Sequence, residues 1–186
     1  SADCITVLSE LLKVTGERGL DAAESAHWQI SQWKNDGIMP EQATLVAEDD
    51  RQFGIAKLYS QYQRQLHAYN AFDLDDLILQ TAHLFSTRKD ILEKWQHKIH
   101  YLLVDEYQDT NAVQYQIVKM LAEKRQCLTA VGDDDQSIYA WRGARPENLV
   151  QLEKDFPNIA IIKLEQNYRS SSRILKLANE LIKNNP

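Results

Sequence analysis

Cysteine is scarce in this sequence: Cys4 and Cys127 are the two among 186 residues. They lie far apart and lack metal-ligand spacing, so no disulfide framework or zinc module is expected and a reduced, cytoplasmic setting is. Long apolar runs are missing as well. No stretch approaches the roughly 18 to 20 residues that cross a bilayer, so no membrane partner is expected. The opening Ser1-Ala2-Asp3-Cys4-Ile5 has neither the basic n-region nor the long h-region of an export signal. Glycine is thin, and Gly16, Gly19, Gly37, Gly54, Gly132 and Gly143 are followed by Glu, Leu, Ile, Ile, Asp and Ala. None precedes lysine. A phosphate-binding P-loop needs Gly-Lys and a hydroxyl, because backbone N–H groups and the ammonium cradle the phosphates together. Positive charge is also short. The net charge is −6, most of it in residues 1–99. That balance does not advertise a nucleic-acid partner, yet it excludes none, since a strand responds to the field of a local groove.

What is present is the material of a globular protein, 44% apolar and 26% charged, enough for one domain or two small ones. Residues 1–99 read as helical, with no β-rich run. Pro40-Glu41-Gln42 has the form of a helix start, and the stretch is expected to run to about Tyr69. Ile55, Leu58, Tyr59, Tyr62, Leu66 and Tyr69 would share its buried face. Gly37 and Pro40 sit in a turn, and Arg88-Lys89-Asp90 in another. Asp73 can cap a helix whose inward stripe is Leu74, Leu77, Ile78, Leu84 and Phe85. The pattern then changes. Ile99–Val104, Cys127–Val131 and Ile159–Ile162 are short apolar runs suited to buried strands. Between them fall a helix capped by Thr110 or Asn111, with Val113, Ile117, Met120 and Leu121 inward, and a second around Pro146 to Leu152. Serines 170–172 would cap a last helix through Ile174, Ala178, Leu181 and Ile182. Strands alternating with helices imply a parallel sheet. The expected fold is therefore α/β: a helical domain, residues 1–98, followed by part of a parallel-sheet domain, residues 99–186.

In open parallel sheets, ligands bind at the carboxyl ends of the strands. Three polar clusters fall at such ends. Asp105-Glu106 follows the first strand in the manner of a Walker B element, in which Asp holds Mg²⁺ and Glu takes a proton from the attacking water. A solvated strand end is the alternative for the pair alone. The second cluster, Gly132-Asp133-Asp134-Asp135-Gln136-Ser137-Ile138-Tyr139-Ala140-Trp141-Arg142-Gly143, follows the second strand. Its acids could be a solvated turn or a cation site. Gln136 can hydrogen-bond a phosphate or a lytic water, while Tyr139, Trp141 and Arg142 offer ring and guanidinium faces for stacking bases. Core packing is the alternative for Trp141. The third cluster, Leu164–Ser171, carries Tyr168, which can stack on a base, and Arg169, which can reach a γ-phosphate or simply precede a serine-rich cap.

Taken together, Asp105–Thr110, Gly132–Ala144 and Gln166–Ser171 resemble motifs II, III and IV of the superfamily 1A DNA helicases, the UvrD/Rep group. Trp33-Lys34-Asn35-Asp36 and Gly143-Ala144-Arg145-Pro146 are similar to that group as well. The helical half resembles its 1B insertion, and Asp73-Leu74-Asp75-Asp76-Leu77 matches its Asp-Phe-Asp-Asp-Leu element with Leu74 as the apolar anchor. The resemblance spans essentially the whole chain. It implies a RecA-like P-loop NTPase domain, domain 1A, of which residues 99–186 are part. It also implies ATP and Mg²⁺ as cofactors, and single-stranded DNA and duplex junctions as partners, with room for replication or repair proteins. Movement would run 3′ to 5′ along one strand. On this reading Asp105 coordinates Mg²⁺, Glu106 is the catalytic base, and Gln136 senses the γ-phosphate. Tyr139, Trp141 and Arg142 contact DNA, Tyr168 stacks near the adenine and Arg169 contacts the γ-phosphate. With no P-loop, the chain is expected to be a fragment of a longer motor and inactive alone.

Three other readings remain. One is a helicase–nuclease subunit of the same superfamily, with its nuclease domain elsewhere. A second is a non-enzymatic interaction module, for which Glu106, Gln136 and Arg169 are expendable. A third makes Asp105 with Asp133–Asp135 a metal nuclease site, which leaves Gln136 and Trp141 without a role.

Overall fold

The computed structural model describes residues 2–15 and 20–184. Five helices build the first part of the chain: α1 (Ala2–Thr15), α2 (Leu20–Asn35), α3 (Pro40–Val46), α4 (Asp50–Ala68) and α5 (Leu74–Thr87). Pro40 does open a helix, but the expected single run to Tyr69 is two. Asp49 ends α3's trailing segment and caps α4, its side chain accepting from the Gln52 N–H. An Asx cap of that kind competes with helix continuation, which is why the chain breaks there. Leu58, Tyr59, Tyr62 and Leu66 face the core as expected, whereas Tyr69 lies past the helix end and is exposed. They pack with Cys4, Leu8, Ile30 and Trp33 in one cluster, in which the rings of Trp33 and Tyr59 stack at 6.3 Å.

Helix α5 starts where Asp73 was expected to start it. The Asp73 carboxylate accepts from the Asp76 N–H, and Asp76 accepts in return from the Asp73 N–H, a reciprocal cap that satisfies two otherwise orphaned donors. Its buried face keeps Phe85 and, in part, Ile78 of the expected stripe but not its three leucines. Asp76, Leu79, Ala82 and Phe85 point inward, while Leu74, Leu77 and Leu84 are exposed. The cause is Lys34, fully buried, whose ammonium lies 2.7 Å from Asp73 and 2.8 Å from Asp76. Two acids drawn onto one buried cation fix the rotation of α5, and the leucines follow. Burial alone would raise the Asp73 carboxyl, but the Lys34 charge and hydrogen bond hold it below the usual carboxylate range.

Helix α6 (Lys89–Lys98) leads into the sheet. Strands β1 (Leu102–Val104) and β2 (Leu128–Ala130) pair in parallel, with Leu102, Leu103 and Val104 opposite Leu128, Thr129 and Ala130. Helix α7 (Ala112–Ala122) connects them, capped by Asn111 through the Gln114 N–H, so Asn111 and not Thr110 is the cap. Helix α8 (Glu147–Asp155) follows. Leu102, Val104, Leu128 and Ala130 pack against Tyr107, Ala122, Leu152 and Phe156, while Leu103, between them, is 73% exposed on the opposite, uncovered face. A third cluster, Leu79, Ala82 and Val113 with Met39, Ile78, Ile117 and Met120, joins α5 to α7 across the two halves of the chain.

The expected third strand is absent. Residues 159–168 follow α8 without strand pairing, and Ile161, Ile162 and Leu164 are mostly exposed. A strand needs a neighbour to complete its N–H and C=O pairing, and this apolar segment has none among the described residues. The last helix, α9 (Ser172–Ile182), forms as expected but buries no residue, and Ser171 stands at its cap without a side-chain hydrogen bond. No helix among the described residues is long and apolar enough to cross a membrane.

Candidate functional site

Two strand ends, side by side, carry the candidate chemistry. Asp105 and Glu106 leave the end of β1 exposed to solvent. Glu106 adopts a left-handed backbone (φ 49°), a conformation rare for a residue with a side chain and often found where function holds it. Its N–H donates to Asp105 Oδ1 at 2.9 Å, and its Oε2 accepts from Gln108 Nε2 at 2.8 Å. Gln108 is buried, and its Oε1 accepts from the Asp133 N–H at 3.0 Å, across to the loop that follows β2. Asp133 in turn accepts from Gln136 Nε2 at 2.7 Å. Backbone bonds run alongside: the Tyr107 N–H donates to the Val131 carbonyl, and the Val131 N–H to the Val104 carbonyl. Gly132 passes so close that a Cβ there would lie 3.0 Å from Gln108 Oε1.

The β2 loop continues through two short 3-10 turns, Asp134–Gln136 and Ala140–Arg142. Tyr139 and Trp141 stand 6.3 Å apart with their planes tilted by 49°. The Arg142 guanidinium lies 4.5 Å from the Trp141 ring centre and 5.2 Å from that of Tyr139. Trp141 is 61% exposed, so it packs into no core formed by the described residues. Asp133, Asp134 and Asp135 bring carboxylate oxygens within 4.8 Å of one another, all exposed.

The loop and the α7 cap beside it are held from the helical half. Gln32 Nε2 donates to the Trp141 carbonyl, Asn111 Nδ2 donates to Asn35 Oδ1, and Arg145 pairs with Asp36 at 2.6 Å. Gly143 (φ +83°) turns the chain so tightly against Asn35 that a Cβ would come within 3.2 Å of the Asn35 Cβ. A cavity of about 860 Å³ opens between these parts, lined by His27, Trp28, Leu74 and Asp75 on one side and Tyr139, Trp141 and Arg142 on the other. Leu74, expected as an anchor, is a wall of this cavity. Burial raises the Asp75 carboxyl and lowers His27. A smaller cavity of about 450 Å³ lies beside Asp105 and Glu106, floored by Val104 and Ile117.

Asp105, Glu106, Gln136, Tyr139, Trp141 and Arg142 thus occupy adjoining loops. Tyr168 and Arg169 do not join them through a third strand end. Tyr168 is 92% exposed, and the turn there is closed locally by Asn167, whose Oδ1 accepts from the Arg169 and Ser170 N–H groups. Sequence reasoning gave no role to Gln108, Gln32, Asn35 or Asp36. The signals were a neutral amide two residues beyond the acid pair and a polar run directly beside Trp33-Lys34.

The family described as UvrD/REP helicase N-terminal domain matches residues 2–157. The chain belongs to that family. Among UvrD/REP relatives, it is 57% identical over 157 residues to the ATP-dependent DNA helicase Rep of Escherichia coli, covering 84% of this chain and 23% of that protein. It is 49% identical over 183 residues to the Rep of Buchnera aphidicola from Acyrthosiphon pisum, 98% of this chain and 28% of the relative. The ATP-dependent DNA helicase PcrA of Bacillus subtilis matches at 47% over 189 residues, all of this chain and 25% of PcrA. The chain therefore spans about a quarter of these UvrD/REP relatives' length.

Proposed function

We propose that this chain is part of an ATP-dependent DNA helicase that moves 3′ to 5′ on single-stranded DNA and separates the duplex ahead of it in the cytoplasm. One observation carries the reading: two parallel strand ends bring the acid pair Asp105-Glu106 beside a loop presenting Gln136 and the exposed Tyr139–Trp141–Arg142 stack. Such an adjacency lets ATP hydrolysis respond to a strand's position. The 1–98 unit is the helical domain, and 99–186 is part of the nucleotide-binding one.

Asp105 offers a hard, exposed carboxylate that would hold Mg²⁺, whose positive charge would be supplied to the phosphates of ATP. Glu106, its carboxylate oriented by the Gln108 amide, accepts the proton of the attacking water. Gln136 can hydrogen-bond the γ-phosphate or that water. Arg169 supplies charge to the γ-phosphate and Tyr168 packs by the adenine once their exposed segment is covered. The phosphate-cradling loop comes from another part of the longer protein, so this chain alone turns ATP over only at background. A base stacks on Trp141 or Tyr139, with Arg142 meeting the backbone phosphate. The relatives' own names, ATP-dependent DNA helicase Rep and PcrA, support the same assignment.

In the full-length protein, Glu106→Gln keeps size and hydrogen bonding while removing the base. DNA-stimulated phosphate release should fall by about 10² or more with ATP binding retained, since general-base catalysis contributes roughly 10² to 10⁴. Turnover near the wild-type rate would refute the assignment.

A further inference from the structure

The Gln108 side chain touches both candidate loops. Its amide is used at both ends: Nε2 donates to Glu106 Oε2 at 2.8 Å, and Oε1 accepts from the Asp133 N–H at 3.0 Å. It is 1% exposed, so neither bond exchanges with water cheaply. The fit is steric as well as polar. Gly132 brings backbone against the amide, and a Cβ there would sit 3.0 Å from Oε1 and 3.3 Å from the Gln108 N. Beyond Asp133, Gln136 Nε2 donates back to the Asp133 carboxylate at 2.7 Å, and the loop runs on to Tyr139, Trp141 and Arg142. A shift of the aromatic loop that moves the Asp133 N–H must therefore strain or break a bond of Gln108, whose other end orients the Glu106 carboxylate.

We infer that Gln108 is a positioning residue that transmits the state of the DNA-facing loop to the Glu106 carboxylate, setting the ATPase stroke by DNA occupancy. The inference rests on the helicase reading above. No other residue type of this size serves. Glutamate would accept from Asp133 but set a second negative charge against Glu106. Methionine fills the space and makes neither bond. Gln108 itself touches no reacting atom; its effect passes through Glu106.

The test uses the full-length protein, ATP and a dT oligonucleotide, with Gln108→Met, Glu106→Gln and the double variant. Gln108→Met should lower kcat by about 10²-fold, the loss that a misplacement of about 1 Å brings, with the KM for ATP unchanged. The ratio of turnover with oligonucleotide to turnover without it should fall toward one. In the Glu106→Gln background, Gln108→Met should cost little more, because the group it positions is gone. A purely structural role would instead multiply the two losses. Should Gln108→Met not fold, Gln108→Glu and Gly132→Ala press on the same contact and should show the same loss of DNA stimulation. Additive losses, or a folded Gln108→Met with wild-type kcat and stimulation, would overturn the inference while Glu106→Gln still loses turnover. Wild-type turnover in Glu106→Gln would overturn both it and the helicase reading beneath it.

Discussion

Replacing Lys34 by methionine isolates the interaction that fixes the rotation of α5 within the helical half. The Lys34 side chain is 0% exposed, that of Asp76 is 0% and that of Asp73 is 6%. The ammonium also lies 5.3 Å from the Tyr62 ring centre and 5.7 Å from that of Tyr59. Methionine fills the volume but leaves two carboxylates buried and facing one another, with the Tyr62 hydroxyl and the Gln63 amide donating to them from neighbouring side chains. Removing one partner of a buried ion pair costs about 3–5 kcal/mol, mostly through the charge left behind. At roughly 2–4 °C per kcal/mol for a chain of this size, the melting temperature should fall by about 6–20 °C. The triple variant Lys34→Met/Asp73→Asn/Asp76→Asn leaves no buried charge and keeps the α5 cap, so it should recover most of the loss. Circular dichroism at 222 nm against temperature, checked by urea titration, reads both. A loss below about 1 kcal/mol in the single variant, or a triple variant less stable than the single, would refute the argument.

Trp141→Ala in the full-length protein should lose roughly 1–3 kcal/mol of affinity for single-stranded DNA, equally for all base compositions, in a fluorescence anisotropy titration. Because Trp141 is exposed, its melting temperature should barely move; a large drop would return Trp141 to the core. The Asp73 carboxyl, held below its ordinary value by Lys34, stabilises the fold above that value, and the contribution is lost as pH falls through the folded one. Urea midpoints should therefore drop steeply below about pH 4, and Asp73→Asn should flatten that limb; a parallel limb in the variant would contradict the assignment.

Local signals in the sequence carried much of this structure. A capping acid at Asp73, an amide cap at Asn111, a proline at the start of α3 and apolar runs ending in Asp105 and Gly132 each act over a few residues. The turns and elements they mark are there. What could not be read was decided at a distance. The rotation of α5 depends on Lys34, 39 residues before Asp73, so a hydrophobic stripe drawn from spacing alone chose the wrong leucines. Residues 159–162 have strand composition, but composition supplies no partner, and the pairing fails. The acid pair and aromatic loop were legible because their residue types are unusual in that order. Gln108 was not, because a glutamine shows its role only when both its neighbours are known.

Strand separation by the full-length protein bears most directly on the central claim. With a duplex carrying a 3′ single-stranded tail, ATP and Mg²⁺, the labelled strand should be released, and a 5′-tailed duplex should stay paired. Omitting ATP, or introducing Glu106→Gln, should abolish release. Separation that proceeds without ATP, separation only from the 5′ tail, or DNA cut by Mg²⁺ alone would contradict the account.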